Sequence, residues 1–399
     1  MKTPIVEMDG DEMTRVIWQM IKDELIAPYI DLKTEYYDLS VTNRDNTDNQ
    51  VTVDAAHAIQ KYHVGVKCAT ITANPQRVEE YHLKQMLPSP NAVIRGILDG
   101  TIFRAPICLE HVNPVIPGWK KPITVARHSF GDIFNGQEFH VDEAGATARL
   151  VVEDKDGKEI CNKKINTFDG AGVVQGVFNK EDSIRNFAET CFQFAVDTKQ
   201  DLWFCAKDTI CKTYDVTFRN IFEETYNKFK AQFDELGITY FYTLIDDAIA
   251  RTIRGNGGYI WALKNADGDV MSDMVSSGFG SLALMTSVLV TPDGNWEYEA
   301  AHGTIPRHYY KYLKGEATST NPMATIFAWT GALRKNGELD NIPELGKYAD
   351  ALEKACIDTI NAGTVTKDIV PMLHDVEANP VTTEGFFAAL KAKLDEYMA

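Results

Sequence analysis

The sequence contains no Cys-x-x-Cys pair, although it has seven cysteines. An odd number of dispersed cysteines in a large acidic chain is typical of reduced thiols and not of a disulfide framework. The same dispersal argues against a zinc site built from these residues. We therefore expect a cytoplasmic protein. The cysteines are Cys68, Cys108, Cys161, Cys191, Cys205, Cys211 and Cys356.

Long apolar runs and an excess of basic residues are also missing. No segment approaches the roughly 18 apolar residues of a membrane span, and the first residues lack the apolar stretch of a signal peptide. The formal net charge of −17 would repel the phosphate backbone of a nucleic acid. Hydrophobic residues make up 44% of the chain and charged residues 24%, which is ordinary for a globular protein. We expect neither a membrane nor a nucleic-acid partner.

Two glycine-rich nucleotide-binding motifs are absent as well. No Gly-x-Gly-x-x-Gly follows the first predicted strand, and no Gly-Lys-Ser/Thr motif occurs. These motifs bring backbone N–H groups close to phosphates. Their absence excludes an ordinary Rossmann dinucleotide site and a P-loop.

What the sequence does contain is an alternation of strands and helices. Short, mostly apolar and β-branched segments at Pro4–Met8, Val64–Ile71, Ile123–Ala126 and Leu202–Cys205 predict buried strands. Asp11 is positioned to cap the first helix. This alternation predicts an α/β fold with a mostly parallel sheet. A length of 399 residues is too great for one compact core, so we expect two or three domains.

One set of aromatic residues recurs at helical spacing. We interpret this stripe as part of the core and assign it no catalytic role. Its members are Phe218, Phe222, Tyr226, Phe229 and Phe233.

One segment, from about Gln137 to Asn179, differs from the rest of the chain. Its residues alternate in polarity around a turn at Asp156-Gly157 and end in a glycine-rich stretch. This pattern predicts a small antiparallel insertion. Exposed strand edges promote aggregation unless they pair, so we expect a sheet shared between two subunits of a dimer.

Four arginines follow predicted strands or lie in their connections: Arg77, Arg95, Arg104 and Arg127. A guanidinium binds a carboxylate or phosphate through two parallel hydrogen bonds, so several together suit a multiply anionic ligand. Surface salt bridges are the alternative explanation for any one of them. Their neighbours favour a ligand site, because polar side chains capable of hydrogen bonding accompany them. These are Thr70, Thr72, Ser89 and Asn91.

Aspartates form a second group. Asp246 and Asp247 lie within an apolar stretch, and Asp269 and Asp273 share one face if their segment is helical. Mg²⁺ and Mn²⁺ prefer carboxylate oxygens, although such a pair is more often part of a solvated helix face. Lys207, after a predicted strand, is a candidate for proton transfer, with an ordinary surface lysine as the alternative.

A third group lies between Ala300 and His308, followed by the segment Thr318–Pro322. Gly303 permits a close backbone approach, and Arg307 with His308 could hold a phosphate. An ordinary loop rich in turn-forming residues is the alternative. The other two groups favour a ligand site.

Taken together, these residues resemble the homodimeric NADP-dependent isocitrate dehydrogenases, the eukaryotic-like branch of the β-decarboxylating dehydrogenases. The resemblance covers essentially the whole chain in the right order. The motifs that carry it are Ile5–Arg15 (IVEMDGDEMTR), Gly65–Thr72 (GVKCATIT), Ser89-Pro90-Asn91, Arg127-His128, Ile245-Asp246-Asp247, Asp267-Gly268-Asp269 and Ala301-His302-Gly303-Thr304.

The resemblance implies oxidative decarboxylation of isocitrate to 2-oxoglutarate and CO₂ with reduction of NADP, a reaction of the tricarboxylic acid cycle. It implies a homodimer with shared active sites. It further implies a large domain of residues 1–98 and 280–399, a small domain of residues 99–131 and 181–279, and a clasp of residues 132–180.

The resemblance also implies a role for each candidate residue. Isocitrate would be bound by Thr72, Ser89, Asn91, Arg95, Arg104 and Arg127. Mg²⁺ or Mn²⁺ would be held by Asp246 of one subunit and by Asp269 and Asp273 of the other, with Lys207 relaying protons. NADP would be bound by Thr70, Thr72, Arg77, Gly303, Thr304, Ile305, Pro306, Arg307, His308 and Asn321, and by Arg254 from the second subunit.

Three positions depart from the family pattern. Phe134 stands where relatives typically have a catalytic tyrosine, and a phenyl ring cannot donate a proton. Phe130 likewise replaces a common tyrosine. Pro306 replaces a threonine in the cofactor loop, which removes a hydroxyl and a backbone donor.

Other functions remain open at this point. A related dehydrogenase acting on isopropylmalate or homoisocitrate is the nearest alternative, although Ser89 and Asn91 suit an apolar tail poorly. A metal-dependent lyase or phosphotransferase could use the same carboxylates and arginines without a nicotinamide. A non-catalytic binding protein is a third alternative, because of Phe134.

Overall fold

The computed structural model describes all residues, 1–399. The strands are β1 Ile5–Asp9, β2 Thr34–Asp38, β3 Val64–Lys67, β4 Thr101–Pro106, β5 Thr124–His128, β6 Gln137–Val141, β7 Thr147–Glu153, β8 Glu159–Thr167, β9 Gly172–Gly176, β10 Asp201–Ala206, β11 Tyr240–Leu244, β12 Tyr259–Leu263, β13 Met285–Val290, β14 Trp296–Ala300, β15 Thr364–Val365 and β16 Asn379–Pro380. The α-helices are α1 Glu12–Met20, α2 Val41–Asn46, α3 Gln50–Tyr62, α4 Pro75–Glu80, α5 Pro90–Leu98, α6 Glu181–Thr198, α7 Tyr214–Leu236, α8 Ile245–Arg254, α9 Asn265–Phe279, α10 Pro306–Leu313, α11 Met323–Asp340, α12 Pro343–Asn361 and α13 Thr383–Met398.

Ten strands form one sheet, in the order β11-β10-β12-β5-β4-β13-β14-β3-β1-β2. The pairs at both ends of the sheet are parallel. The pairs β5–β4, β4–β13 and β13–β14 in the centre are antiparallel. The predicted α/β fold with a mostly parallel sheet is therefore confirmed.

Two sequence predictions about the N-terminal region need correction. The strand predicted over Val64–Ile71 ends at Lys67. Asp11 directly precedes α1 but does not cap it through its side chain. Its carboxylate instead accepts hydrogen bonds from the backbone N–H groups of Val41 and Ile71, each at 2.8 Å. The acidic side chain thus fixes the two loops that follow β2 and β3.

Separate clusters of buried side chains lie around the sheet. In one of them, α11, α12 and α13 pack with α1 and β3. In another, α6 and α7 pack against β10 and β12, and Phe204 stacks on Phe222 with ring centroids 3.9 Å apart. Phe218, Phe222 and Phe233 are fully buried here, which confirms the interpretation of the aromatic stripe as core.

The chain separates into two compact units, one of residues 1–129 and 181–399 and the other of residues 130–180. In the smaller unit β6 pairs with β9 and β7 with β8, both antiparallel, as predicted for the insertion. Large apolar side chains on these strands are exposed, including Phe139 at 70% and Val173 at 75%. The division of the larger unit into a large and a small domain stays a prediction. None of the helices has the length and apolar character needed to cross a membrane.

Candidate active site

Three buried arginines lie close together in the larger unit. Arg95 belongs to α5, Arg104 to β4 and Arg127 to β5. Arg95 donates to the Glu299 carboxylate at 2.6 Å, and Arg104 donates to the Ser272 hydroxyl at 2.7 Å. Neighbouring strands and a helix end therefore bring the three arginines together, and their partners Ser272 and Glu299 come from a distant part of the sequence.

The electrostatics of this arginine cluster favour an anionic ligand. Burial, together with the positive charges of Arg95 and Arg104, lowers the pKa of the Arg127 guanidinium to about 9, although Asp269 opposes this effect. Burial also lowers the pKa of Arg104, again with the help of Arg95. The Nε of Arg104 and the Oδ1 of Asn91 are buried without a hydrogen-bond partner. A ligand with several carboxylates would relieve this repulsion and satisfy the Arg104 donor.

Acidic side chains partly balance the cluster. Arg127 donates to the carboxylate of Asp269 and, through Nε, to the side-chain oxygen of Asn265 at 2.9 Å. Asp273 lies 3.6 Å from Arg104. The two aspartates of α9 thus lie beside two of the arginines, with their carboxylates partly exposed.

The sequence prediction missed the acid that holds Arg95. Glu299 in β14 contacts Arg95 and lies 4.0 Å from the buried Lys67. Although burial opposes its ionisation, Arg95 and Lys67 hold the pKa of Glu299 below its ordinary value. Burial and the charge of Glu299 raise the pKa of the neighbouring Glu297. The segment Trp296–Ala300 (WEYEA) places both acids on one strand face, and this alternation was the available signal.

The polar residues near the start of α5 also lie together. Ser89 precedes the helix and accepts a hydrogen bond from Thr72 at 3.5 Å. Asn91 lies in the first turn, where backbone N–H groups lack intrahelical partners. Thr70 accepts a hydrogen bond from Lys67 at 3.2 Å. The loop after β3 therefore meets the N-terminal end of the helix that carries Arg95.

Lys207 and Asp246 form a separate pair. Lys207 follows β10, and its Nζ lies 2.5 Å from the Asp246 carboxylate at the start of α8. This hydrogen bond lowers the pKa of Asp246. The two residues line a cavity of about 400 Å³ together with apolar side chains of α8 and α9.

A single chain does not bring the three predicted metal ligands together. Asp269 and Asp273 are both on α9, whereas Asp246 is paired with Lys207, and no three His, Cys, Asp or Glu side chains come close enough to hold a metal ion. The donor chemistry nevertheless fits Mg²⁺ or Mn²⁺, because all three candidates are carboxylates. Burial raises the pKa of Asp273, and Arg104 opposes this effect.

Glu12 is a second acid that the sequence analysis did not single out, and it contacts residues predicted to bind the cofactor. Glu12 is buried, and one of its oxygens lies 2.9 Å from the guanidinium of Arg77. Its other oxygen accepts a hydrogen bond from Thr304. Arg77 also contacts Tyr310 of α10 and Glu80. Glu12 thus connects α1, α4 and the loop before α10.

The first turn of α10 carries the residues predicted to bind the 2′-phosphate. Pro306 is its first residue, where a helix has no use for a backbone N–H and proline is well tolerated. Ile305 before it has a positive φ of 58°. Arg307 is exposed, whereas His308 accepts or donates a hydrogen bond at 2.7 Å to Thr320. The proline therefore starts the helix without the loss of a needed hydrogen bond.

Two features of this region suit an anionic cofactor. Burial and the positive charge of the nearby Lys311 lower the pKa of His308. The negative charge of a bound phosphate would offset the charge of Lys311 and raise this pKa. Asn321 accepts from the backbone of Met323 at 2.9 Å, while its Nδ2 is buried without a partner. Gly303 is exposed at the head of the loop.

The remaining predicted residues lie elsewhere. Arg254 is the last residue of α8 and is exposed. Phe134 belongs to the smaller unit, in a single helical turn over Asp132–Phe134. In the same unit Phe130 is buried and meets Phe178 edge-on, with ring centroids 6.2 Å apart.

Comparison with known proteins adds independent evidence. A family model described as isocitrate/isopropylmalate dehydrogenase matches residues 1–386. The NADP-type mitochondrial isocitrate dehydrogenase of Macaca fascicularis is 49% identical over 98% of this chain and 88% of its own length. That of Sus scrofa is also 49% identical, over 98% of this chain and 94% of its own length. NADP-type isocitrate dehydrogenase 1 of Mycobacterium tuberculosis is 49% identical over 99% of this chain and 97% of its own length. This chain therefore belongs to the isocitrate/isopropylmalate dehydrogenase family.

Proposed function

We propose that this protein oxidises and decarboxylates isocitrate to 2-oxoglutarate and CO₂, with reduction of NADP and a requirement for Mg²⁺ or Mn²⁺. The observation that carries the proposal is the cluster of three buried guanidinium groups beside the carboxylates of Asp269 and Asp273. The full-length similarity to NADP-type isocitrate dehydrogenases supports it.

The arginine cluster suits a tricarboxylate better than a dicarboxylate. Isocitrate carries three carboxylates, which match Arg95, Arg104 and Arg127 in number and charge. Isopropylmalate has only two carboxylates, and its branched apolar tail would face the polar side chains of Ser89 and Asn91. Thr72 completes this polar group through its hydrogen bond to Ser89.

Asp269 and Asp273 would hold the divalent metal, with Asp246 supplied by a second copy of the chain. When bound, the metal polarises the substrate alcohol and stabilises the negative charge that develops when CO₂ leaves. The arginines keep the substrate in a fixed orientation. Lys207, already hydrogen-bonded to Asp246, would relay protons to and from the substrate oxygen.

The cofactor would bind between the loop of Gly303, Thr304, Ile305 and Pro306 and the helix that carries Arg77. Arg307 and His308 would contact the 2′-phosphate, and Arg254 of the second copy would add to this site. Thr70, Thr72 and Asn321 complete the set, and the unpartnered Nδ2 of Asn321 supports it.

Phe134 has no hydroxyl, whereas the tyrosine that relatives typically have at this position could donate a proton during the reaction. Water or Lys207 would provide this proton, since a phenyl ring has no donor. Restoring the hydroxyl with Phe134→Tyr tests this point in stopped-flow and steady-state assays. A rise in kcat at unchanged KM for isocitrate would show that the proton transfer limits turnover, and an unchanged or lower kcat would show that another group already serves.

We also infer a homodimer, and two exposed surfaces support this proposal. The smaller unit exposes large apolar side chains on both of its strand pairs. Beside the Lys207–Asp246 pair, Ile210 and Val270 are exposed at 72% and 62%. A second copy would cover these residues and bring Asp246 to the α9 aspartates.

Subunit exchange tests this arrangement directly. Asp246→Asn and Asp269→Asn should each be inactive, because each removes one metal ligand. In a mixed dimer one site would carry both changes and the other neither, so random exchange should restore about one quarter of full activity. No recovery after exchange, verified by mass spectrometry of tagged chains, would mean that each site is built from one chain.

A steady-state assay tests the function itself. Absorbance at the NADPH band is followed with isocitrate or isopropylmalate, with NADP⁺ or NAD⁺, and with or without a chelator. We expect turnover with isocitrate, NADP⁺ and Mg²⁺ or Mn²⁺, and none after chelation. Consumption of a hydroxy acid without nicotinamide reduction would favour a metal-dependent lyase, and no turnover with any pair would contradict the proposal.

We also propose a cytoplasmic location, on the basis of the seven free cysteines. Several mammalian relatives have the word mitochondrial in their names. Fractionation of the source cells with an antibody to this chain would distinguish these locations.

A further inference from the structure

A cavity of about 490 Å³ lies between α6 and the turn that joins β13 to β14. None of its lining residues belongs to the candidate active site. They are Phe103, Asn186, Glu189, Thr190, Gln193, Phe194, Asp197, Phe229, Val290, Thr291, Pro292 and Trp296.

The cavity lies on the reverse face of the strands that carry active-site residues. Within the antiparallel centre of the sheet, Arg104 is opposite Ser287, and Ser287 is opposite Glu299. Successive residues of a strand point to opposite faces. Phe103 therefore faces the cavity while the adjacent Arg104 faces the active site. For the same reason Trp296 faces the cavity and Glu299 faces the active site.

The walls are aromatic and the rim is acidic. Phe103 stacks on Phe194 with ring centroids 4.0 Å apart, and Trp296 lines the same cavity. At the rim the Glu189 carboxylate is paired with Lys228 at 2.8 Å. The Asp197 carboxylate accepts from the neutral amide of Gln193 at 2.7 Å. No lysine or arginine lines the cavity itself, although the Nζ of Lys335 lies 4.1 Å from the centroid of the Trp296 ring. Asp197 makes no ion pair, in contrast to Glu189.

We propose that this cavity is a second ligand site, which binds an organic ammonium ion with an aromatic or branched apolar body. The apolar body packs against the side chains of Phe103, Phe194 and Trp296, and the ammonium group pairs with the Asp197 carboxylate. An anionic ligand such as the substrate is disfavoured by the acidic rim. This part of the proposal is independent of the proposed function.

Ligand binding in the cavity also weakens isocitrate binding at the active site, and this part of the proposal rests on the proposed function. Phe103 lines the cavity and is almost fully buried, so a ligand that packs against it causes a small displacement of its ring. Packed interiors transmit such shifts because they contain little free space. The displacement passes along β4 to Arg104 and raises the KM for isocitrate.

Calorimetric titration of the full chain with 1-naphthylmethylamine tests binding. A ligand of this size should bind with a Kd on the order of a few millimolar. Asp197→Asn should weaken binding by about 2- to 5-fold, as expected for one partly exposed charge. The matched control is Asp182→Asn on the same helix, which is exposed and does not line the cavity; it should leave binding unchanged.

Two further measurements test whether the amine binds in this cavity and whether its charge contributes to binding. The neutral 1-naphthylmethanol, of nearly the same shape, should bind more weakly than the amine. Thr190→Trp should abolish binding by filling the cavity, with folding checked by circular dichroism. Equal binding of amine and alcohol, equal binding by Asp197→Asn, or no heat at about ten times the expected Kd would each overturn the proposed site.

Steady-state assays test the coupling. Saturating amine should raise the KM for isocitrate several-fold in the unaltered protein, with little change in kcat. At the same concentration it should have no effect on Thr190→Trp. An unchanged KM despite calorimetric binding would overturn the coupling alone, and a protein that does not oxidise isocitrate would contradict the proposed function but not the ligand site.

Discussion

The arginine cluster and the first turn of α10 both carry positive charge that suits an anion. They differ in that the cluster is buried and the turn is exposed. Arg95, Arg104 and Arg127 are buried on strands and a helix, and acids are built in beside them. Arg307 is exposed on the first turn of α10. Buried charge must be compensated by the fold itself, whereas exposed charge can be changed at little cost to stability. The two regions should therefore respond differently to substitution.

The largest expected effect is on stability, from Glu299→Gln. The change leaves Arg95 and Lys67 buried without their common carboxylate, and breaking a buried ion pair typically costs about 3–5 kcal/mol. The urea midpoint of unfolding should fall clearly, as followed by tryptophan fluorescence. Arg307→Ala is the control from the exposed region and should leave the midpoint nearly unchanged. Equal midpoints for the two variants would remove the distinction between the regions.

Arg104→Met should next reduce kcat/KM for isocitrate. A charged hydrogen bond is worth about 1.5–3 kcal/mol, which corresponds to a loss of roughly 10- to 150-fold. Arg185→Met provides the control, since Arg185 pairs with Glu224 at 3.1 Å on the surface of α6 and α7. Steady-state kinetics of both variants measure the difference. If Arg104→Met keeps the full kcat/KM, the arginine does not contact the substrate.

Replacing both Arg307 and His308 with alanine should narrow the preference for NADP⁺ over NAD⁺ by about 10-fold or more, because each loses a charged or polar contact to the 2′-phosphate. The ratio of kcat/KM for the two cofactors measures the change. Equal use of both cofactors by the unaltered protein would contradict the assignment of these residues.

Glu12→Gln should weaken NADP⁺ binding by several-fold, because the carboxylate that connects Arg77 to Thr304 loses its charge. Glu80→Gln is a matched control, since Glu80 also pairs with Arg77 but its other hydrogen bond is to Tyr310 and not to Thr304. Calorimetry with NADP⁺ compares the two. A similar loss in both variants would show that only the charge near Arg77 matters.

The smallest expected effect is the pH dependence of NADP⁺ binding. The pKa of His308 is lowered in the free protein, and a bound phosphate dianion should raise it. Binding then takes up a proton, so NADP⁺ affinity should increase as the pH falls from about 8 to about 6.5. Calorimetry across this range should show the trend for NADP⁺ and not for NAD⁺, and His308→Asn should abolish it. A flat profile would place the phosphate away from His308.

The sequence was sufficient to predict elements governed by local pattern. The strand near Leu202–Cys205 and the aromatic core around Phe222 follow from apolar runs and helical spacing. The presence of β1, to within one residue at each end, and the antiparallel character of the insertion were also predicted. Each of these predictions was made from patterns of residues that are close together in the chain.

Long-range pairings were not predictable in the same way. Glu299 contacts Arg95 across 204 residues, and Glu12 contacts Thr304 across 292. The capping role predicted for Asp11 was wrong because its carboxylate serves two distant backbone N–H groups. The partner of a buried acid depends on which cation the tertiary structure brings beside it. The local spacing of residues in the sequence does not indicate which cation that is.

The pairing of β3 with β14 has a consequence for how the chain is made. Val64 is opposite Trp296 in this parallel pair, so about 230 residues must be synthesised after β3 before its partner strand exists. At the usual rate of about 5–20 residues per second, the ribosome needs roughly 10–50 s for them. During this time β1, β2 and β3 have an unpaired edge and no α11 to cover them. Such an edge promotes aggregation until it is paired, so a chaperone that binds the nascent N-terminal strands would protect the chain during this time.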